Sequence, residues 1–273
     1  MQRFTYALEP DTSPPKGIGY KLYGALNDLA APVLASHWHS LRQPEIHQHL
    51  FVKEGRFYWR LALLAENEPD LVLRSAREDL TRQLAGLTRL PVDGTDLALQ
   101  VVERVSLSRT AILHHHLSHQ APADRLTLTL RSPLAFKRAG HYDPLPQPEL
   151  MAQSLINRWA PLLPELAADP ARLRAHAATS LLPARMSLRT TAVPIKGSHI
   201  PGSLGDMTLL LKARPPLRRL WGLFFALGEW SGIGVKTALG MGGISVMAPG
   251  WTSLPANAMI DSSSTAPQET TDI

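Results

Sequence analysis

Two stretches of this chain hold side chains suited to chemistry on a phosphate. Near the carboxyl end, EWSGIGVKTALGMGGISV sets Gly232, Gly234, Gly240, Gly242 and Gly243 around one lysine, Lys236. Glycine has no Cβ, so such a run lets the main chain turn left-handed and lets a ligand reach its amides. Phosphate is the usual guest of such a loop. The spacing excludes two familiar versions. A P-loop needs Gly-Lys-Ser/Thr in sequence, whereas Lys236 follows Val235. A dinucleotide fingerprint needs glycine at the first, third and sixth positions, and the sixth residue counted from Gly232 is Thr237. A glycine-rich turn that serves packing alone is the plain alternative. The second stretch, ASHWHSLRQPEIHQHLF, carries His37, His39, His47 and His49. Histidine exchanges protons near neutral pH and suits general acid or base work. Residues two apart on a helix lie roughly 200° apart, so His37 and His39 face one site only if the helix has frayed before them. His47 and His49 would share one face of a strand.

These groups need a frame. QRFTYALEP alternates like a strand, and GYKLYGALNDLAAPVLASHWH reads as a helix despite Pro32. EIHQHLFVKEGRFYWRLALLAE reads as a hairpin turning at Glu54-Gly55, DLVLRSAREDLTRQLAGL as a second helix and DLALQVVERVSL as another strand. The order is βαββαβ, the ferredoxin-like pattern. HQAPADR, with Pro122, reads as a linker, and the pattern then returns: strand RLTLTLRSPLAF, helix PELMAQSLINRWAPLL, strands SLRTTAVPI and DMTLLLKA, helix PLRRLWGLFFALGEW and strand GISVM. The expectation is an α+β protein of two tandem ferredoxin-like (RRM-like) domains, 1–118 and 125–249, joined by a linker at 119–124. The Ser-, Thr- and Pro-rich segment 250–273 is expected to be a disordered tail.

Composition narrows the partner. The 273 residues, 44% hydrophobic and 19% charged, suit two folded domains. Basic residues number 28 against 23 acidic, a modest excess that favours an anionic partner, nucleic acid first. A membrane is disfavoured, since no apolar run reaches the roughly 18 residues a span needs and MQRFTYALEPD has no signal-peptide core. A cytoplasmic protein is expected. With no cysteine there are no disulfides, thiolate zinc sites or cysteine nucleophiles. LHHHLSH offers His114, His115, His116 and His119 to a metal, but read as a strand it sends neighbours to opposite faces, and no carboxylate accompanies them. A solvated strand end is the simpler reading.

Two segments carry a family likeness. GLFFALGEWSGIGVKTALGMGGISV and, about 100 residues earlier, LRSPLAFKRAGHYDPLPQPELMAQSLINRW resemble the CRISPR repeat-processing endoribonucleases of the RAMP superfamily. The likeness covers residues 125–247 well, and 1–118 mostly by pattern. It implies an enzyme that uses no metal or cofactor, binds CRISPR repeat RNA and cuts the precursor transcript. The ribose 2′-hydroxyl would attack the adjacent phosphate, leaving a 2′,3′-cyclic phosphate and a 5′-hydroxyl. Such chemistry needs a base, an acid and cations near the phosphorane.

In the family the acid-base histidine lies at the end of the first helix or just after it. The resemblance therefore puts His39 first and His37 second. Tyr23 and Lys53 read as a half-buried tyrosine and a solvated lysine. Arg42 would offer a bidentate fork to the scissile phosphate. Lys236, with the amides of Gly232, Gly234, Gly240 and Gly242, would track the RNA backbone, and Lys137, Arg138 and His141 would form a second contact loop. The alternative is a RAMP-fold subunit that holds processed crRNA beside other CRISPR-associated proteins of an effector complex and cuts nothing. A ligand-sensing pair of ferredoxin-like domains is a third reading, and would show no salt-dependent RNA affinity.

Overall fold

Phe4, Tyr6 and Leu8 of the first strand, β1 (Gln2–Leu8), all point into one core, as their alternation requires. The computed structural model describes residues 1–9, 13–15, 17–65, 69–118, 121, 124–167, 169–249, 254, 257 and 258. After β1 come α1 (Ile18–Leu29), α2 (Pro32–Ser40), β2 (Ile46–Lys53), β3 (Arg56–Leu63), α3 (Leu71–Ala85), β4 (Arg89–Val92), β5 (Thr95–Ser106) and α4 (Arg109–Ser118). The second unit runs β6 (Arg125–Leu134), β7 (Phe136–Arg138), β8 (His141–Asp143), α5 (Pro148–Trp159), α6 (Pro170–Ser180), β9 (Leu181–Ile195), β10 (Ser198–Leu211), α7 (Pro215–Ser231) and β11 (Ile244–Met247). Asn257–Ala258 add a short β12 beside β5.

Both sheets are antiparallel and share one connectivity. The first is ordered β12-β5-β1-β3-β2, with β4 also paired to β5, and the second β11-β6-β10-β9. In each unit the opening strand lies between the third and the last of the βαββαβ series, so the tandem ferredoxin-like expectation holds. The Glu54-Gly55 turn is as expected, with φ of 52° and 76°, a left-handed pair whose twist matches that of the flanking strands.

Several elements differ from the expectation. The first helix is two: Ala31 precedes Pro32, whose ring disfavours helical backbone before it, and Ala30 and Ala31 are extended (ψ 146° and 143°). LHHHLS, residues 113–118, is helical rather than a strand end and forms the second half of α4. FKRAGHY is a hairpin, β7–β8, closed by Ala139-Gly140 at φ 47° and 85°. Strand β4 and helix α6 were not expected. Most of the expected linker and tail, with His119, lies outside the described residues.

The two units also share apolar packing. One cluster joins Ala62, Leu64, Val105, Leu107 and Ile112 of the first unit to Trp159, Trp221, Phe224 and Trp230 of the second. Helix α7 is accordingly apolar nearly all round, with Trp221 through Gly228 buried without a break, the pattern of a helix covered on every side. Arg3 of β1 lays its guanidinium 4.7 Å from the Trp230 ring centre. Among the described residues no helix is long and apolar enough to cross a membrane.

Candidate RNA-cleavage site

Helix α2 continues through both of its histidines, so they face different ways. His37 turns its Nε2 toward Glu45, 3.5 Å away, and Glu45 in turn pairs with Arg77 of α3. His39 is exposed and turns toward α1, its ring centre 6.2 Å from that of Tyr23. Its Nδ1 lies 2.7 Å from the Ala35 carbonyl. A carbonyl only accepts, so Nδ1 carries the proton and Nε2 presents its lone pair. Tyr23 is half-buried, and that burial holds its phenol above the ordinary pKa, protonated at neutral pH.

Tyr23 also lines a cleft of about 540 Å³ between the units, and the cations of the site converge there: Arg42 after α2, Lys137 on β7, Arg158 on α5 and Lys236 in the glycine-rich segment. Lys236 is exposed and left-handed, with φ 59° and ψ 29°. Arg138 is exposed on the same hairpin as Lys137 but lies outside that lining. Lys53 is at the tip of the β2–β3 hairpin beside Glu54, away from this cleft.

The glycine-rich segment is packed rather than open. A Cβ at Gly232 would meet the His47 imidazole at 2.7 Å, and one at Gly243 would collide with the His49 ring, so the chain passes flat over two side chains of β2. Most of its amides are already donated: Gly232 to Gly228, Ile233 to Gly242, Val235 to Ala135, Gly242 to Pro133 (all carbonyls), Gly234 to the Ser154 hydroxyl and Gly243 to that of Ser132. The expectation that the amides of Gly232, Gly234 and Gly242 lie open to phosphate is therefore corrected: protein oxygens hold them, and Lys236 is what the segment turns to the cleft. Ser132-Pro133 is the other half of this structure, since both residues accept from the glycine segment. That is the physical reason why the two motifs occur together.

His47 and His49 do share a strand face, and both are fully buried between the units. Their rings stack at 5.0 Å, His49 Nδ1 lies 3.0 Å from His47 Nε2, and His47 Nδ1 lies 3.1 Å from the Thr237 carbonyl. One tautomer set satisfies the chain: His49 Nδ1–H donates to His47, whose Nδ1–H donates to Thr237. Burial drives the pKa of His47 down to about 3 and that of His49 well below 6.5, with the neighbouring arginines acting in the same direction. These two are neutral braces. The α4 histidines scatter as helical neighbours must: His115 is buried, while His114 meets the Ser118 hydroxyl at 3.3 Å.

Two members of the site were not singled out by the sequence reading. Arg158 and Thr237 lie where α5 meets the glycine-rich segment, 3.4 Å apart. The one hint in the sequence was an arginine between Ile156 and Trp159, both of which are core. In the sequence Tyr23 reads as an ordinary half-buried tyrosine, and only the fold brings it to His39.

Residues 128–244 match the family model described as the CRISPR-associated endoribonuclease Cas6. The CRISPR-associated endoribonuclease Cas6 of Streptococcus thermophilus is 22% identical over 249 residues, which cover 90% of this chain and 98% of that protein. Among solved structures, a Cas6 of Thermus thermophilus superposes with a TM-score of 0.63 at 20% identity, covering 90% of this chain and 98% of that one. A Cas6 product complex gives 0.69 at 21% identity, covering 90% and 100%. The resemblance read in the sequence is thus borne out, and the fold is that of these proteins.

Proposed function

We propose that this relative of the Cas6 endoribonucleases binds CRISPR repeat RNA in the cleft between its units and cuts the precursor transcript by transesterification. His39 Nε2 takes the proton of the ribose 2′-hydroxyl. The 2′ oxygen bonds to phosphorus as the bond to the 5′ oxygen breaks, and the Tyr23 phenol protonates that leaving oxygen. A 2′,3′-cyclic phosphate and a 5′-hydroxyl result, and solvent returns the proton from His39 to Tyr23. Arg42 and Lys236 oppose the charge on the phosphorane. Lys137 and Arg138 hold the flanking strand. No metal takes part in these steps. His37, engaged with Glu45, is not a second acid or base in this reading.

The observation that carries the reading is His39 itself: exposed, its tautomer fixed by Ala35, and beside the tyrosine that opens onto a cleft lined by four basic side chains. The test is a labelled repeat RNA from the CRISPR array nearest the gene, incubated with protein in EDTA. A single cut is expected, lost with a 2′-deoxy residue at the cut position and slowed about 10²- to 10⁴-fold in His39→Ala. Salt-sensitive binding without any cut would instead make the protein a guide-holding subunit.

A further inference from the structure

Arg158 is the cation that spans both walls of the cleft. It projects from α5 of the second unit and donates from Nη1 to the carbonyls of Pro44 at 2.8 Å and Gln43 at 3.3 Å, in the segment just after Arg42. Its Nη2 donates to the Thr237 hydroxyl at 3.4 Å, one residue past Lys236. Among the described residues no carboxylate lies in ion-pair distance of it, so its partners are neutral oxygens. Burial lowers its pKa to about 10, with Glu45 acting the other way, and it remains charged at neutral pH.

A half-buried guanidinium whose hydrogen bonds go to oxygens of two loops from different units gives up part of its hydration for neutral partners, which is a costly way to fill space. It is an effective way to fix two loops to one another, because the planar fork sets distance and angle at once. We propose that Arg158 is a positioning residue: it locks the Arg42–Pro44 segment to the Lys236–Thr237 segment, and so sets the separation of the two cations that oppose the phosphorane. In this role Arg158 acts through Arg42 and Lys236 rather than as an RNA contact of its own. This rests on the cleavage reading above for its consequence in rate, but the clamp is a property of the free protein and can be tested without RNA.

The experiment has two arms on the full chain, using Arg158→Met, Arg158→Lys and Thr237→Val. In the first, amide exchange is followed without RNA. Arg158→Met should speed exchange at residues 41–43 and at 236–240 together, leaving the core of α5 unchanged. In the second, single-turnover cleavage is measured at saturating repeat RNA. Arg158→Met should slow it about 10²-fold, the scale of a misplaced reacting group, while affinity changes by less than about fivefold. Arg158→Lys keeps the charge and loses the fork, and should recover only part of the rate. Thr237→Val removes one arm with little risk to folding, and should loosen 236–240 alone.

Adding Lys236→Ala to Arg158→Met should cost less than the product of the two single effects, because one acts through the other. Full rescue by lysine would make Arg158 a simple charge, an affinity loss equal to the rate loss would make it an RNA contact, and unchanged exchange at both loops would remove the clamp. Each of these overturns the proposal. If the wild-type protein never cuts, the cleavage reading falls and the exchange arm still decides the clamp.

Discussion

Lys236 has a backbone that a glycine would adopt more readily, since non-glycine residues with φ near 60° carry about 1 kcal/mol or more of strain. A glycine-rich segment that nonetheless places a lysine at such a point has a use for the side chain. Lys236→Gly is therefore expected to hold or raise the melting temperature while weakening repeat-RNA binding. The slope of log affinity against log salt should become shallower by about 0.7, one phosphate contact on a single strand. A fall in stability without change in the slope would remove Lys236 from the RNA path. The glycines behave in the opposite way. Gly243→Ala would drive a Cβ into the His49 ring, with the units packed on either side, and should cost about 1–3 kcal/mol of unfolding free energy. A urea titration that finds it neutral would mean that the two units separate there easily. At this scale the sequence was half legible. It marked Lys236, Arg42, Lys137 and the glycines, but a glycine required by a neighbouring imidazole and one required by a phosphate leave the same letter. The histidine partners were some 190 residues away.

At the scale of elements, local signals sufficed where they were read to the end. The hairpin at Glu54-Gly55 and the helix after Asp70 follow from turn and cap chemistry; the Asp70 carboxylate accepts from the amides of Val72 at 2.8 Å and Leu73 at 3.2 Å. Asp70→Ala should thus cost about 1 kcal/mol, read as a lower urea midpoint at unchanged slope. The same rules applied to PVDGT and to AP at residues 31–32 would have given the β4–β5 hairpin, whose Asp93-Gly94 turn has φ 52° and 76°, and the break between α1 and α2. That break matters for the site. A continuous helix would carry on in one direction from Tyr23, whereas the bend at Ala30–Ala31 lets α2 bring His39 back beside it. Three successive histidines give no periodicity to read; burial of His115, and of Ile112 in the core shared with the second unit, decides the helix.

The whole molecule is joined through the His47–His49 pair, and this gives it a pH response that neither unit would have alone. Both imidazoles are buried and held neutral, His47 with its pKa at about 3 against an ordinary 6.5. The unfolded chain takes up their protons below pH 6.5 and the native protein does not, so stability is full above 6.5 and is lost as the pH falls toward the folded pKa values. At pH 5 the loss from His47 is about 2 kcal/mol, and His49 adds to it in the same direction. Glu229 acts in the other sense above pH 4.5, because burial raises its pKa and the native state binds that proton more readily. Arg3, Arg60, Arg131 and Arg158 all face the pair or its partners and oppose its protonation. Urea unfolding at pH 7.5 and pH 5 should therefore differ by a few kcal/mol, and a His47→Gln, His49→Gln double variant should flatten that difference while being less stable at pH 7.5. An unfolding free energy that does not change between the two pH values would mean that the pair is hydrated in solution, and that the two units meet less closely than their shared core implies.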